Sequence, residues 1–272
     1  MDEALDLELL GANILPVRRR MHRTDPFVLS DVEFKKHYRF SKEGVRHLVQ
    51  LFNLQKDNRG APLSPEQKMC IALNTYAGAN FQRVSGLIGG VSQSSARSAL
   101  LEVTDALCGL KEEYINMPLE HEMRETSLNM LNRFHLPNFA FAVDGVQIFF
   151  DGQPRRVPPH QNRQSYWSRK QSYAINVQAV CGDGVFYDID VAWPGGTHDA
   201  RIWNTSQAKL FIENLNSYYV AGDSGYPIST TLVKPYSVAE ATRDPSKALF
   251  NRRLSGIRYF IFNVCYYLSK ES

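Results

Sequence analysis

The sequence predicts an α/β domain, preceded by an all-helical region. Three observations carry this. Apolar residues recur at three-to-four spacing up to about residue 110 and switch to runs and alternation from about 138. The turn CGDG (181–184) separates two strand-like segments, a strong hairpin signal. Three aspartates, Asp144, Asp199 and Asp223, each fall at the edge of a predicted strand or turn.

The elements follow in order. Residues 1–30 read as an arm, with Arg18, Arg19, Arg20 and Arg23 in a basic cluster. Such a cluster suits nuclear import or phosphate contact, and equally a solvated linker. Residues 31–52 are predicted helical from Phe34, Tyr38, Phe40, Val45, Leu48 and Leu51. Ser64 is placed to cap a helix through about Ala77. A short helix holding Phe81, Val84, Leu87 and Ile88 ends at Gly89 and Gly90. Ser92 then caps a third helix, with Ala96, Leu100, Val103 and Leu107 toward a core. Two helices across a Gly turn, with an earlier packing helix, match the helix-turn-helix layout. Arg97, among Gln93, Ser94, Ser95 and Ser98, is the phosphate-contacting candidate there. A plain packing bundle is the competing reading.

The strands are FAFAVDGVQIFF (139–150), SYAINVQAV (172–180), GVFYDIDVAW (184–193) and SYYVAG (217–222), with a helix expected near 199–215. The chain is mildly basic, formal net charge +3, compatible with a nucleic-acid partner but not diagnostic of one. No apolar run reaches transmembrane length and the acidic N-terminus lacks a signal-peptide layout, so no membrane is expected and an intracellular chain is. Cys70, Cys108, Cys181 and Cys265 show no CxxC pairing or zinc spacing and read as reduced buried thiols.

The chemistry sits in the second half. A phosphodiester is anionic with a poor leaving group. Two divalent ions about 3.5–4 Å apart activate water on one side and stabilise the departing oxygen on the other. Mg²⁺ prefers carboxylates, so its ligands must be acids on rigid elements that converge. Asp144 interrupts an apolar strand, where an unpartnered carboxylate costs several kcal/mol. A metal or a structural ion pair should meet it. Asp223 lies in AGDSGYP, a tight strand exit, and a turn-forming role is its alternative. Asp199 follows His198 at the end of a Gly-rich loop, where it serves as helix N-cap, metal ligand or both. The loop 153–170 carries Arg155, Arg156, Arg163, Arg169 and Lys170 with Tyr166 and Trp167 interleaved and no acid. Cations with aromatics suit phosphate contact and base stacking. A solvated loop is the alternative.

Taken as an ordered set, VDGVQI (143–148), YWSRKQSYAINVQAV (166–180), WPGGTHDARI (193–202), GDSGYP (222–227), KPY and FNRRLSGIR (250–258) resemble the DDE endonuclease domain of PIF/Harbinger transposases and their domesticated nucleases. The resemblance covers roughly 64–258. It implies an RNase H-like catalytic domain over 138–258, behind a helix-turn-helix-like region over 31–135. It implies Mg²⁺- or Mn²⁺-dependent DNA cleavage, with Asp144, Asp223 and Asp199 as catalytic and metal-binding acids. Asp223 is the principal partner of Asp144. It also implies DNA and a Myb-like DNA-binding protein as partners. The nucleus is the expected compartment, with the cytoplasm second.

The chain departs from the family after Arg258. The pattern wants a glutamate on a long helix about four residues on, where Phe262 stands. From Tyr259 the sequence YFIFNVCYYLSKES is β-branched and aromatic, so the expectation is a divergent, non-helical tail over 259–272, as from an alternative or truncated terminus. Glu240 and Glu271 are poor substitutes, since neither sits on a predicted helix with the family pattern. Two readings follow: a Harbinger-type nuclease impaired by the missing acid, or an inactive DNA-binding or regulatory protein on the same fold. An unrelated metal-dependent phosphohydrolase fits the motif order less well.

Overall fold

The computed structural model describes residues 23, 25–55, 62–78, 90–150, 154, 157, 162–182 and 184–270, with side chains to Phe260 except Ala192. The chain forms two compact units, 1–109 and 110–272.

The first unit is helical among its described residues: α1 (Asp31–Tyr38), α2 (Lys42–Leu51), α3 (Pro65–Gly78) and α4 (Gln93–Gly109). Each opens on a serine that satisfies an orphan backbone donor. Ser30 Oγ accepts from Glu33 N, Ser41 from Gly44 N, Ser64 from Gln67 N and Ser92 from Ser95 N. Phe34, Tyr38, Val45, Met69, Cys70, Leu73 and Val103 form the core, with Phe27 and Leu29 packed against it. Lys68 Nζ, almost fully buried, pairs with Glu102 at 2.8 Å and so ties α3 to α4. The short helix expected over 81–88 and Arg18–Arg20 lie outside the described residues.

The second unit is mixed α/β, as the sequence predicts. After α5 (Lys111–Tyr114) and α6 (Glu120–Phe134) come β1 (Phe139–Phe149), β2 (Ala174–Gly182) and β3 (Val185–Pro194). Then follow α7 (Asp199–Thr205), α8 (Gln207–Leu215), β4 (Tyr219–Ala221), β5 (Leu232–Val233), α9 (Val238–Arg243) and α10 (Pro245–Lys270). The sheet order is β3-β2-β1-β4-β5. β1, β2 and β3 form an antiparallel meander; β4 returns parallel to β1, and β5 parallel to β4. A parallel return needs a crossover connection, which α7 and α8 supply.

Apolar layers cover both faces of the sheet. On one, Phe141, Val143 and Val180 pack with Trp203 of α7 and Ala208 and Ile212 of α8. On the other, Ala142, Cys181 and Ala221 pack with Met130 of α6 and Leu254 and Ile257 of α10. Helix α6, within the range expected to be helix-turn-helix-like, thus packs on the sheet.

Two expectations are corrected. The tail from Tyr259 is not extended: α10 runs through Lys270. Its first turn is capped, Asp244 Oδ1 accepting from Ser246 N, and buried Leu254 and Ile257 anchor it. Once nucleated, a helix adds residues cheaply, so packing overrides weak local propensity. Glu240, the third residue of the six-residue α9, closes a capping box with Ser237, which leaves it the poor substitute expected. Among the thiols, Cys70 and Cys181 are buried as expected, but Cys108 is exposed.

Candidate active site

β1 passes through the middle of the sheet and delivers Asp144 just beyond the last pair it shares with β4, Ala142 with Ala221. Asp223, two residues past that pair on β4, leaves the sheet beside it. The pairing of small Ala142 with Ala221, both fully buried, is what brings these two acids side by side.

Asp144 shares the parity of Ala142 along the strand, so its side chain points to the α10 side. There Arg258 Nη2 donates to Asp144 Oδ2 at 3.0 Å, and the Gly145 N–H donates to Oδ1 at 2.9 Å. Burial holds the Asp144 carboxyl above the usual carboxylate range. Arg258 and the Gly145 N–H pull it down, and Asp223 pushes it up. The ion pair weighed for Asp144 is therefore present, with Arg258 as its cation.

Asp223 Oδ1 accepts from the Gly225 N–H at 2.8 Å, and its carbonyl from the Tyr226 N–H at 3.3 Å. This is the turn role weighed for it, and it holds the carboxylate at the strand exit.

Asp199 is the first residue of α7, and the N-cap position falls on His198, whose side chain makes no cap bond. The N-cap role weighed for Asp199 is thus not the one it has. Asn176 Nδ2 donates to Asp199 Oδ1 and to the Thr197 carbonyl, each at 2.9 Å. Asp199 lies against Gly145, where an added Cβ would stand 2.6 Å from Asp199 Oδ1. The absent Cβ is what lets α7 dock on β1. Since Gly145 has the opposite parity to Asp144, Asp199 approaches β1 on the other side from Arg258.

Beneath the acids lies a buried polar layer that sequence reasoning missed. Tyr226 is buried, and its hydroxyl donates to Gln178 Oε1 at 3.3 Å. Burial raises its phenol well above the ordinary range, and the charges of Asp199, Asp144 and Asp223 raise it further. One phenol thus feels all three carboxylates. Gln178 and Asn176 are both almost wholly buried. The signal was present: in AINVQAV two amides fall on alternate positions of an apolar strand, hence on one face.

Of the cationic candidates, Arg163, Arg169 and Lys170 are exposed on the segment leading from the 3₁₀ turn (Arg163–Tyr166) into β2. Arg169 Nη2 donates to His198 Nδ1. Arg155 and Arg156 lie outside the described residues. Arg97 is exposed on the first turns of α4, in the other unit.

Among the described residues, no three His, Cys, Asp or Glu side chains converge closely enough to hold a metal ion. The donor set still fits one hard cation. Asp144 from the middle of β1 and Asp223 from just past the end of β4 offer oxygen ligands on rigid backbone, and Mg²⁺ takes one or two protein carboxylates beside water and substrate phosphates.

A central carboxylate on the antiparallel meander thus stands beside a second that follows the adjoining parallel strand. Residues 143–266 match the family described as DDE superfamily endonuclease. The chain is similar to the protein named "Putative nuclease HARBI1", as the resemblance to Harbinger-derived nucleases leads one to expect. The Rattus norvegicus protein is 26% identical over 264 residues, covering 92% of this chain and 72% of the relative. That of Homo sapiens is 27% identical over 252 residues, covering 87% and 69%. "Protein ALP1-like" of Arabidopsis thaliana is 23% identical over 216 residues, covering 73% and 51%. No solved structure matches. No helix among the described residues is long and apolar enough to cross a membrane.

Proposed function

We propose that this chain is a DNA endonuclease of Harbinger type with an RNase H-like catalytic domain, dependent on Mg²⁺ or Mn²⁺ and slowed by its missing final acid. One observation carries the reading: Asp144, midway along β1, stands beside Asp223, just past the end of the adjacent parallel strand β4, inside the stretch that matches a DDE endonuclease. The sheet order, an antiparallel meander extended by two parallel strands, supports the RNase H-like assignment.

Asp144 and Asp223 would hold the cation, with Asp199 nearby on α7. A divalent ion bound there supplies Lewis-acid stabilisation of the phosphodiester oxygens and a more acidic water. The chain's own residues do the rest. Gly145 and Asn176 seat Asp199, Tyr226 and Gln178 support the layer below, and Arg163, Arg169 and Lys170 offer positive charge to the DNA backbone. Arg97, Arg155 and Arg156 extend that charge in the proposal. A Myb-like DNA-binding partner and a nuclear location, served by Arg18–Arg20 and Arg23, complete it.

Phe262 stands one turn beyond Arg258 on α10, the position at which the family pattern wants a glutamate. This, with the Arg258–Asp144 pair, favours a second reading: a DNA-binding or regulatory protein on the same fold without cleavage.

Nicking of supercoiled plasmid in Mg²⁺ or Mn²⁺ separates the two. The first reading expects slow nicking, abolished in Asp144→Ala and raised by Phe262→Glu. Equal nicking by the chain and Asp144→Ala would remove Asp144 from the site. Binding without nicking, unchanged by Phe262→Glu, would establish the second reading.

A further inference from the structure

A pocket of about 310 Å³ opens beside Asp199, between the β1–β2 surface and the loop 195–198. Its wall is preformed. The Gly195 N–H donates to the Ala174 carbonyl at 2.8 Å, and the Gly196 N–H to the Ser165 carbonyl at 2.9 Å. Gln147 Nε2 donates to the Gly195 carbonyl at 2.9 Å. These bonds clamp the loop to three segments at once. They also leave no room for side chains: a Cβ on Gly195 would lie 2.6 Å from the Ala174 carbonyl oxygen, and one on Gly196 2.6 Å from that of Ser165.

The rim is cationic. Arg169 and Lys170 are adjacent and exposed there. Lys170 Nζ lies 5.5 Å from the centroid of Phe149, so its stem rests on an exposed ring. Arg169 is held from the loop side by His198, whose Nδ1 accepts a hydrogen bond from Nη2. A guanidinium fixed by one edge keeps its remaining N–H donors in a planar fork, the geometry that grips a phosphate through two oxygens. The one acid in the lining, Asp199, has Oδ1 engaged by Asn176 and turned to Gly145. At the lower end of the range for ligand pockets, about 300–1,000 Å³, the space admits a phosphate with its sugar and not a duplex.

We propose that this pocket seats a single backbone phosphate of the DNA strand brought to Asp144 and Asp223, with Arg169 as its clamp, Lys170 as a second charge, and His198 as the residue that positions Arg169. This rests on the DNA-cleaving reading and adds the subsite that sets the register of the strand. It assigns His198 a role next to the carboxylates that is neither metal ligation nor helix capping.

The test is binding of a fluorescent DNA oligonucleotide to the full chain in EDTA, by anisotropy, so that no cleavage intervenes. Arg169→Gln and His198→Ala are expected to weaken binding about tenfold each. His198→Gln, which keeps an acceptor, stays near the parent, and the double variant is no weaker than Arg169→Gln alone. A series of oligonucleotides, each with one neutral methylphosphonate, locates the phosphate. One position should weaken the parent about tenfold and leave Arg169→Gln unaffected. Inorganic phosphate is the second probe. Displacement of the oligonucleotide by millimolar inorganic phosphate from the parent chain would overturn the proposal in favour of a free-phosphate pocket. Parent-like binding by Arg169→Gln and His198→Ala, or no methylphosphonate position that couples to Arg169, would also overturn it. Those failures leave the nuclease reading intact as long as the parent binds and nicks DNA. A parent that binds no DNA overturns both.

Discussion

Asp144 is held between burial, which favours its neutral form, and Arg258, which favours its charge. Burial wins, so the carboxyl titrates above the ordinary range. The sign of the linkage follows. The folded chain binds this proton more tightly than the unfolded chain. Its contribution to stability is complete below the unfolded value and is lost as pH rises through the folded one. Arg258→Met removes the largest opposing influence, so it should raise the Asp144 titration further and steepen the loss of stability toward neutral pH. Carboxyl NMR titration in EDTA, with thermal melts across pH 3 to 8 (about the carboxylate and histidine range), reads both effects. A titration unchanged by Arg258→Met would mean the pair does not control Asp144. Gly145 is the other decisive residue. Asp199 Oδ1 is tied to Asn176, so it has little freedom to yield to a new methyl group 2.6 Å away. Gly145→Ala should cost about 1–3 kcal/mol, as overpacking does, and should displace Asp199. Urea denaturation measures the first. Two-dimensional NMR of the Asn176 side-chain amide reports the second.

At the scale of elements, the helix starts of the first unit were the most legible features. Ser64 and Gln67 cap reciprocally: Ser64 Oγ accepts from Gln67 N, and Gln67 Oε1 from Ser64 N. Ser64→Ala should lower stability by about 1 kcal/mol. A melting temperature equal to the parent's would show that the cap contributes nothing. The hairpin at CGDG was equally readable, because the chemistry of a tight turn is local: Gly184 has φ 80°, a conformation disfavoured for other residues. The end of the chain was not. YFIFNV has strand-like composition, yet it continues a helix whose first turn is capped and whose Leu254 and Ile257 are sealed in the sheet's second apolar layer. Local propensity spans only about 1 kcal/mol, less than burying two such side chains contributes, about 1.5–3 kcal/mol each. Glu240 shows the same limit. Its helix is six residues long, too brief for periodicity to reveal.

For the molecule as a whole, two compact units carry exposed positive charge, Arg97 on one and Arg163, Arg169 and Lys170 on the other. If both units contact one DNA molecule, the affinity should fall with salt at a slope set by the summed phosphate contacts, about 0.9 per contact on duplex. Neutralising Arg97 and Arg169 separately should each reduce that slope by about one. A slope unaltered by Arg97→Gln would confine DNA contact to the second unit. By itself the sequence determined the mixed α/β class, the hairpin, the caps, the three aspartates and the resemblance to a DDE endonuclease, since each depends on neighbours along the chain or on an ordered set of motifs. It did not determine how those aspartates stand to one another. That was decided by the tertiary structure: the β1–β4 register sets Asp144 beside Asp223, strand parity turns Asp144 toward Arg258, and a missing Cβ at Gly145 admits Asp199 from the opposite side. Each is a contact between residues from about 50 to more than 100 positions apart. Local propensity carries no information about such contacts, so only the packed sheet reveals which charges meet.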